Sequence, residues 1–367
     1  MIIKNDSLEM KKIVVFVVFL LVFNIAFCQQ ETAERKTFTN PIFASGADPW
    51  IIQKDGFFYY TNTSGSRLFI KKAKNLADLK ISEAKTIWVP PEGTSYSKEI
   101  WAPELHFIQG KWYMYFSADD GSNKNHRIYV VENASADPMV GKWEFKGEVS
   151  DPLNKWAIDA SVFEYMDKLY IIWSGWEGGV NGQQNIYIAL MKNPWTIDGN
   201  RVKLSSPTLE WETVGDLNNP NDVPHVNVNE GPVALIHDKK LFIIYSASGC
   251  WTDAYCLGML TFIGKDNPLD QGAWKKNLIP VFKQKPENGV YAPGHNSFFV
   301  SPDGRETWIL YHANSAPGQG CGRYRSPRAQ IIKWKHDGNP DFGEPVKPGI
   351  PLQLPSEGIS KRLQNLY

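Results

Sequence analysis

Along this chain short apolar runs alternate with small polar and turn residues, and one order recurs five times. Each copy opens on a small polar motif and continues through a short apolar strand, a tight turn and an aromatic-rich strand that ends in small polar residues. The first copy is A-D-P-W-I-I-Q-K-D-G-F-F-Y-Y-T-N-T-S from Ala47 and the second A-P-E-L-H-F-I-Q-G-K-W-Y-M-Y-F-S-A-D from Ala102. The third runs from Ile158, the fourth from Asn229, and the fifth from Gly294 through the turn Pro302, Asp303, Gly304. A third apolar stretch follows each copy, from Leu68, Arg127, Asn185, Leu257 and Gln330. A weaker fourth follows most of these, marked by Trp143 and Trp274 in two of them. Helical periodicity is nearly absent. Five sets of four antiparallel strands predict an all-β fold, a five-bladed β-propeller. A sandwich or a parallel solenoid fits less well, because the repeats are too long and the turns are hairpin-like. Short strands near Phe38–Phe43 and Pro351–Leu354 are expected to close the ring.

Composition narrows the class. The 367 residues are 43% hydrophobic and 21% charged with a formal net charge of zero, which suits a globular protein with a large core. No basic stripe is present of the kind that neutralises phosphates, so a nucleic-acid partner is not expected. Lys11 and Lys12 precede an apolar run from Ile13 to Phe27 that is too short to span a bilayer comfortably. Residues 1–28 therefore read as a signal peptide, with Ala26 and Cys28 supplying the small residues before a cut at Gln29. Residues 29–367 are then a single catalytic propeller domain, exported to the periplasm or the extracellular space, with no membrane span after cleavage. A lipoprotein anchor on Cys28 competes with this reading, and the bulky Phe27 speaks against it. Three cysteines remain, Cys250, Cys256 and Cys321. Cys250 and Cys256 flank one short loop and are the expected disulfide pair, with three buried thiols as the alternative.

In a propeller the first strand of each blade lines the central channel, so the residues opening the repeats share one funnel. These are Asp48, Glu104, Asp159, Glu230 and His295. Gathering like charges costs free energy unless a function compensates. Glycoside hydrolysis is such a function: one carboxyl group protonates the leaving oxygen and another activates water or attacks the anomeric carbon. Crowding separates the two roles by raising one pKa.

At A-D-P-W from Ala47, E-I-W-A-P-E from Glu99, I-D-A from Ile158 and N-E-G-P from Asn229, the chain resembles glycoside hydrolase family 43, in that family's order and over essentially the whole mature length. The resemblance implies that Asp48 is the general base, Glu230 the general acid and Asp159 the residue that tunes the acid's pKa and orientation. It implies inversion, for which the two carboxyl groups stand about 6.5 to 9.5 Å apart. No cofactor is implied as a requirement. A calcium or other small ion in the channel, held by His295 through waters, is also implied, although calcium prefers oxygen ligands. S-G-W-E-G from Ser174, S-G-C-W-T from Ser248, P-G-H-N-S from Pro293 and S-P-R-A-Q from Ser326 resemble the branch of exo-acting α-L-arabinofuranosidases. That branch would act on arabinan, arabinoxylan or related oligosaccharides, with Arg328 contacting sugar hydroxyls or the carboxylates. A β-xylosidase, an endo-arabinanase or a non-catalytic sugar-binding propeller are the alternatives on this scaffold.

Several residues carry two readings. Glu104 is either a substrate ligand or a partner of Arg328 or a backbone amide. Trp101 and Trp176 are either sugar-stacking platforms or packing. His225 and Asn227, in the loop before Glu230, are expected to shape the pocket, and Trp50 is expected to face the core.

Overall fold

The computed structural model describes residues 36–179, 183–215 and 227–357. The segment read as a signal peptide lies outside them. Among the described residues there is no α-helix, and the only helical turns are short 3-10 segments such as Asp78–Lys80.

Five four-stranded antiparallel sheets follow one another in chain order, each meandering from an inner to an outer strand. The inner strands are Trp50–Lys54, Lys98–Ile108, Ala157–Tyr165, Asn229–His237 and Tyr291–Val300, which number the blades one to five. The turn that leaves each inner strand explains why the chain reverses there. In four blades it is a two-residue turn with both residues at positive φ: Asp55–Gly56, Gln109–Gly110, Met166–Asp167 and Asp238–Lys239. Such turns match the right-handed twist of the strands they join. Blade five uses the longer turn through Gly304, whose φ is 77°.

A single blade cannot cover its own apolar faces, and the core lies in the five layers between neighbours. Leu105, Trp112 and Met114 of blade two pack on Tyr59, Leu68 and Ile70 of blade one. Tyr115 and Val130 of blade two meet Ile171 and Tyr187 of blade three. Ile172 and Ile186 meet Ile243 and Tyr245 across the third seam, and Phe242 and Ile244 meet Ile309 and Tyr311 across the fourth. Leu310 and Trp308 of blade five return to Ile51 and Phe58 of blade one. Trp50 belongs to the core as expected, buried with its indole N–H donating to the Leu105 carbonyl at 2.8 Å.

The ring closes near both expected segments, with a shorter first strand than expected: Thr37–Thr39 pairs antiparallel with Pro351–Gln353, and residues 40–43 lie outside any strand. The chain from Asn40 to Gly46 then runs along the blade-five strand Ser326–Trp334. Ile42 and Gly46 donate backbone N–H groups to Pro327 and Arg325 carbonyls.

The expected Cys250–Cys256 disulfide is not formed. Cys250 pairs with Cys321, 71 residues away, while Cys256 is a free, buried thiol. Cys256 opens the strand Cys256–Phe262 with its side chain buried, whereas Cys250 and Cys321 lie on loops of adjacent blades, after the strands Lys240–Ala247 and Thr307–Asn314. Proximity along the sequence is outweighed by the direction in which strand and loop present their side chains.

Candidate active site

One backbone device recurs at the channel end of every inner strand. Asp48, Ala102, Asp159, Gly231 and His295, one from each blade, all have positive φ, between 43° and 58°. In blades two to five a register shift sits at the same place. The bulge turns the chain so that neighbouring side chains enter the channel, and four of the five positions hold it without glycine, a strained state typical of functional sites. Three of the five residues read from the repeats, Asp48, Asp159 and His295, share this position. Glu230 stands one residue before it and Glu104 two after, so the carboxylates are offset in depth and do not form a ring at one level.

The preceding blade holds most of these bulges. Thr63 Oγ1 accepts the Ala102 N–H at 2.8 Å, Ser117 Oγ the Asp159 N–H at 3.0 Å, and Ser246 Oγ the His295 N–H at 2.7 Å. His312 Nδ1 accepts the Asp48 N–H at 3.1 Å, which fixes the imidazole as the tautomer protonated at Nε2. At blade four Ser174 Oγ instead donates to the Asn229 carbonyl at 2.9 Å. The Gly231 N–H is therefore left for Asp159 Oδ2, at 3.0 Å.

Among the channel carboxylates Asp48 is the most heavily partnered. Its Oδ1 receives Arg325 Nη1 at 3.0 Å and lies 3.3 Å from His295 Nδ1, and its Oδ2 accepts the Thr63 hydroxyl at 2.6 Å. Burial pushes this carboxyl up, but Arg325, His295, His312 and Thr63 together outweigh it and hold Asp48 well below the usual carboxylate range. Glu230 moves the other way. Burial raises it to about 7, the Asp48 charge adds to the rise, and the Tyr255 hydroxyl, donating to Oε1 at 2.7 Å, and Arg325 only partly oppose it. Asp159 is raised as well, by burial first and then by the charges of Glu230 and Asp48. Near neutral pH the channel thus holds one carboxylate that stays ionised beside one poised to carry a proton.

Glu104 is buried and does not meet Arg328. Its Oε2 lies 2.9 Å from His106 Nε2, and its carboxyl is raised by burial, with the Ser161 hydroxyl opposing and the Asp159 charge adding. Burial also depresses His106, to about 3, so the imidazole is neutral.

Arg328 departs from expectation too. It is 0% exposed within its strand, with Nη2 donating to Ser315 Oγ at 2.8 Å, and the guanidinium that meets a site carboxylate is Arg325, three residues earlier. Arg325 precedes the strand Ser326–Trp334, where the chain still borders the channel; Arg328 lies inside that strand, in the blade.

Trp101 is half-buried, stacked on His126 with centroids 4.0 Å apart, its indole N–H donating to Glu99 Oε2 at 3.0 Å. Trp176 is 2% exposed and stacked on Trp156 at 4.7 Å, which makes it part of the wall and leaves Trp101 as the accessible ring of that cluster. Asn227 is half-buried, and His225 lies outside the described residues.

His295 is neutral by burial, its ring against Gly231 and its Nδ1 toward Asp48. Among the described residues no three His, Cys, Asp or Glu side chains are grouped to hold a metal ion. The carboxylate nearest His295 is already engaged by Arg325, so a hard cation wanting about six to eight oxygens meets no protein cage here. Four residues that set the site, Thr63, Tyr255, His312 and Arg325, escaped the sequence reading. All lie outside the inner strands, and the only signal for them is their place at the channel end of an outer strand or loop.

The family model described as glycosyl hydrolases family 43 matches residues 38–340. The chain belongs to glycosyl hydrolase family 43. It is therefore a glycosidase, and the arrangement of carboxyl groups above belongs to a hydrolase of glycosyl compounds. Relatives within the family include a protein of Streptomyces avermitilis named extracellular exo-alpha-(1->5)-L-arabinofuranosidase, 38% identical over 89% of this chain and 67% of its own length. Alpha-L-arabinofuranosidase 43 of Humicola insolens is 31% identical over 94% of this chain and 72% of its own. Among solved structures, an alpha-L-arabinofuranosidase from Lactobacillus brevis superposes with a TM-score of 0.77 at 35% identity, covering 85% of this chain and 98% of the other.

Proposed function

We propose that this chain is an exported, inverting α-L-arabinofuranosidase that releases terminal arabinofuranosyl residues from arabinan or arabinose-decorated plant polysaccharide. The observation that carries the mechanism is the contrast between Asp48, held ionised chiefly by Arg325 with the Thr63 hydroxyl beside it, and Glu230, raised to about 7 in the same channel. The substrate rests on the names of relatives 31% to 38% identical over most of the chain. Export rests on the N-terminal apolar segment and on the word extracellular in a relative's name.

In this reading Asp48 takes a proton from a water on one face of the sugar while that water bonds to the anomeric carbon. The bond to the leaving oxygen breaks as Glu230 delivers its proton there. Asp159 positions Glu230 by holding the N–H of the next residue, Gly231, while burial and the Asp48 charge keep the acid protonated. No step calls for a metal ion. Activity is expected to survive prolonged dialysis against EDTA with at most about a twofold change, and a larger, calcium-restored loss would return His295 to the role of ion holder.

Initial rates on 4-nitrophenyl α-L-arabinofuranoside and β-D-xylopyranoside test the assignment, with Asp48→Ala as control. Turnover of the arabinoside that vanishes in the variant is the expected result. A preference for the xyloside would make the enzyme a β-xylosidase. Proton NMR of the first-formed sugar should show the inverted anomer, and initial retention would remove Asp48 from the base role.

A further inference from the structure

The Cys250–Cys321 bridge joins the loop that follows the blade-four strand Lys240–Ala247 to the loop that follows the blade-five strand Thr307–Asn314. Each loop ends on a residue that touches the site. The first ends at Tyr255, whose hydroxyl donates to Glu230, and the second at Arg325, which donates to Asp48. The Tyr255 ring also stacks on His312 at 5.7 Å and 5°, and His312 receives the Asp48 N–H. Glu230, Tyr255, His312, Asp48 and Arg325 are thus linked in series, and the bridge closes the series into a loop. Besides the bridge, the described contacts between the two loops include the exposed donation of the Gly318 N–H to Asp253 at 3.0 Å, and Gly320 lies against the Trp251 backbone.

We propose that the Cys250–Cys321 disulfide is a positioning element of the active site, holding Arg325 on the base and Tyr255 on the acid together. This rests on the roles given above to Asp48 and Glu230. Asp48 is faced by Arg325, His295 and His312 and by the hydroxyl groups of Thr63, Tyr60 and Tyr255, with Asp159 and Glu230 as neighbouring carboxyl groups. Glu230 is faced by Tyr255, Arg325, Asp48 and Asp159. Of all these groups only Tyr255 and Arg325 ride on the bridged loops. Both favour the ionised form of the carboxylate they touch, so releasing them moves both titrations upward.

The test is the pH dependence of kcat/KM for 4-nitrophenyl α-L-arabinofuranoside in the double variant Cys250→Ser, Cys321→Ser, with circular dichroism and a melting curve alongside. Both limbs of the profile are expected to move to higher pH by about one unit while the fold persists. A purely structural bridge lowers the melting temperature and leaves both limbs in place, and that outcome overturns the proposal. Should the double variant fail to fold, the native protein is reduced with tris(2-carboxyethyl)phosphine and alkylated. The buried Cys256, its thiol raised to about 12 by burial, is spared, and the same limbs are read. Loss of the fold there too assigns the bridge to stability and ends the proposal. Asp48→Asn and Glu230→Gln run in parallel: full turnover in either removes the acid and base reading itself. Inactive single variants with unmoved limbs in the double variant remove the bridge alone.

Discussion

At the scale of single residues the site separates two carboxyl groups by what surrounds them. Burial and the Asp48 charge disfavour the ionised form of Glu230 by more than Tyr255 and Arg325 favour it, and as the proposed acid it must be protonated to act. With a value of about 7, kcat/KM should fall as pH rises through neutrality, and Asp48, held low, should give no loss until the solution is far more acid. Tyr255→Phe removes a hydrogen bond that favours the ionised form of Glu230, so the descending limb should move to higher pH. A limb that moves down, or stays, separates Tyr255 from the acid. Glu230→Gln keeps the volume and the Tyr255 contact but has no proton to give, and kcat on natural oligosaccharides should drop by about a thousandfold with little change in the melting curve. Asp48, Asp159 and Glu230 were legible because each opens a repeat. Arg325 was not: Arg325 and Arg328 lie three residues apart in one short motif, and only the start of the strand at Ser326 decides which of them borders the channel.

At the scale of elements the strand turns and the bulges differ in how they show in sequence. Two of the four two-residue turns announce themselves, as Asp55–Gly56 and Gln109–Gly110, while Met166–Asp167 and Asp238–Lys239 carry no glycine signal. A bulge leaves no such mark, because it is a shift of pairing and any short motif can hold it. For that reason the five repeat openings read as equivalent, although Ala102 and Gly231 hold the positions that correspond to Asp48, Asp159 and His295. Gly231 is the one place where the bulge requires glycine for a further reason. Its φ is 52°, and a Cβ there would stand 3.3 Å from the His295 ring. Gly231→Ala should therefore cost about 1 to 2 kcal/mol of stability. It should lower kcat more than it raises KM, because the shift disturbs the Asp159 to Gly231 hydrogen bond that orients Glu230. Differential scanning calorimetry with steady-state kinetics on the same preparation checks both; unchanged kcat would show that the peptide after Glu230 need not be held.

At the scale of the whole molecule the propeller faces a closure problem that the sequence only outlines. Among the described residues every blade is contiguous in the chain and no strand from one terminus completes a blade at the other, so the seam between blades five and one depends on what the segments flanking the blades add. That short segments near both ends close the ring was legible; the clamp beside them was not, because it consists of one polar side chain on a backbone edge. Asn40 is buried, its amide donates to the Ala329 carbonyl at 2.9 Å, and its carbonyl oxygen accepts the Ala329 N–H at 2.9 Å. It pairs a stretch of the blade-five strand that has no fourth-strand partner, since that strand's outer pairing begins only at Lys333. Asn40→Ala would leave a buried donor and a buried acceptor without partners, a cost of about 2 kcal/mol or more. Because Asn40 touches no site residue, the loss should appear as a lower melting temperature and faster hydrogen exchange at Ala329, with kcat within about twofold of the native enzyme. A matching fall in kcat at temperatures well below the melt would mean that the seam also carries the geometry of Asp48, only a few residues along the same segment.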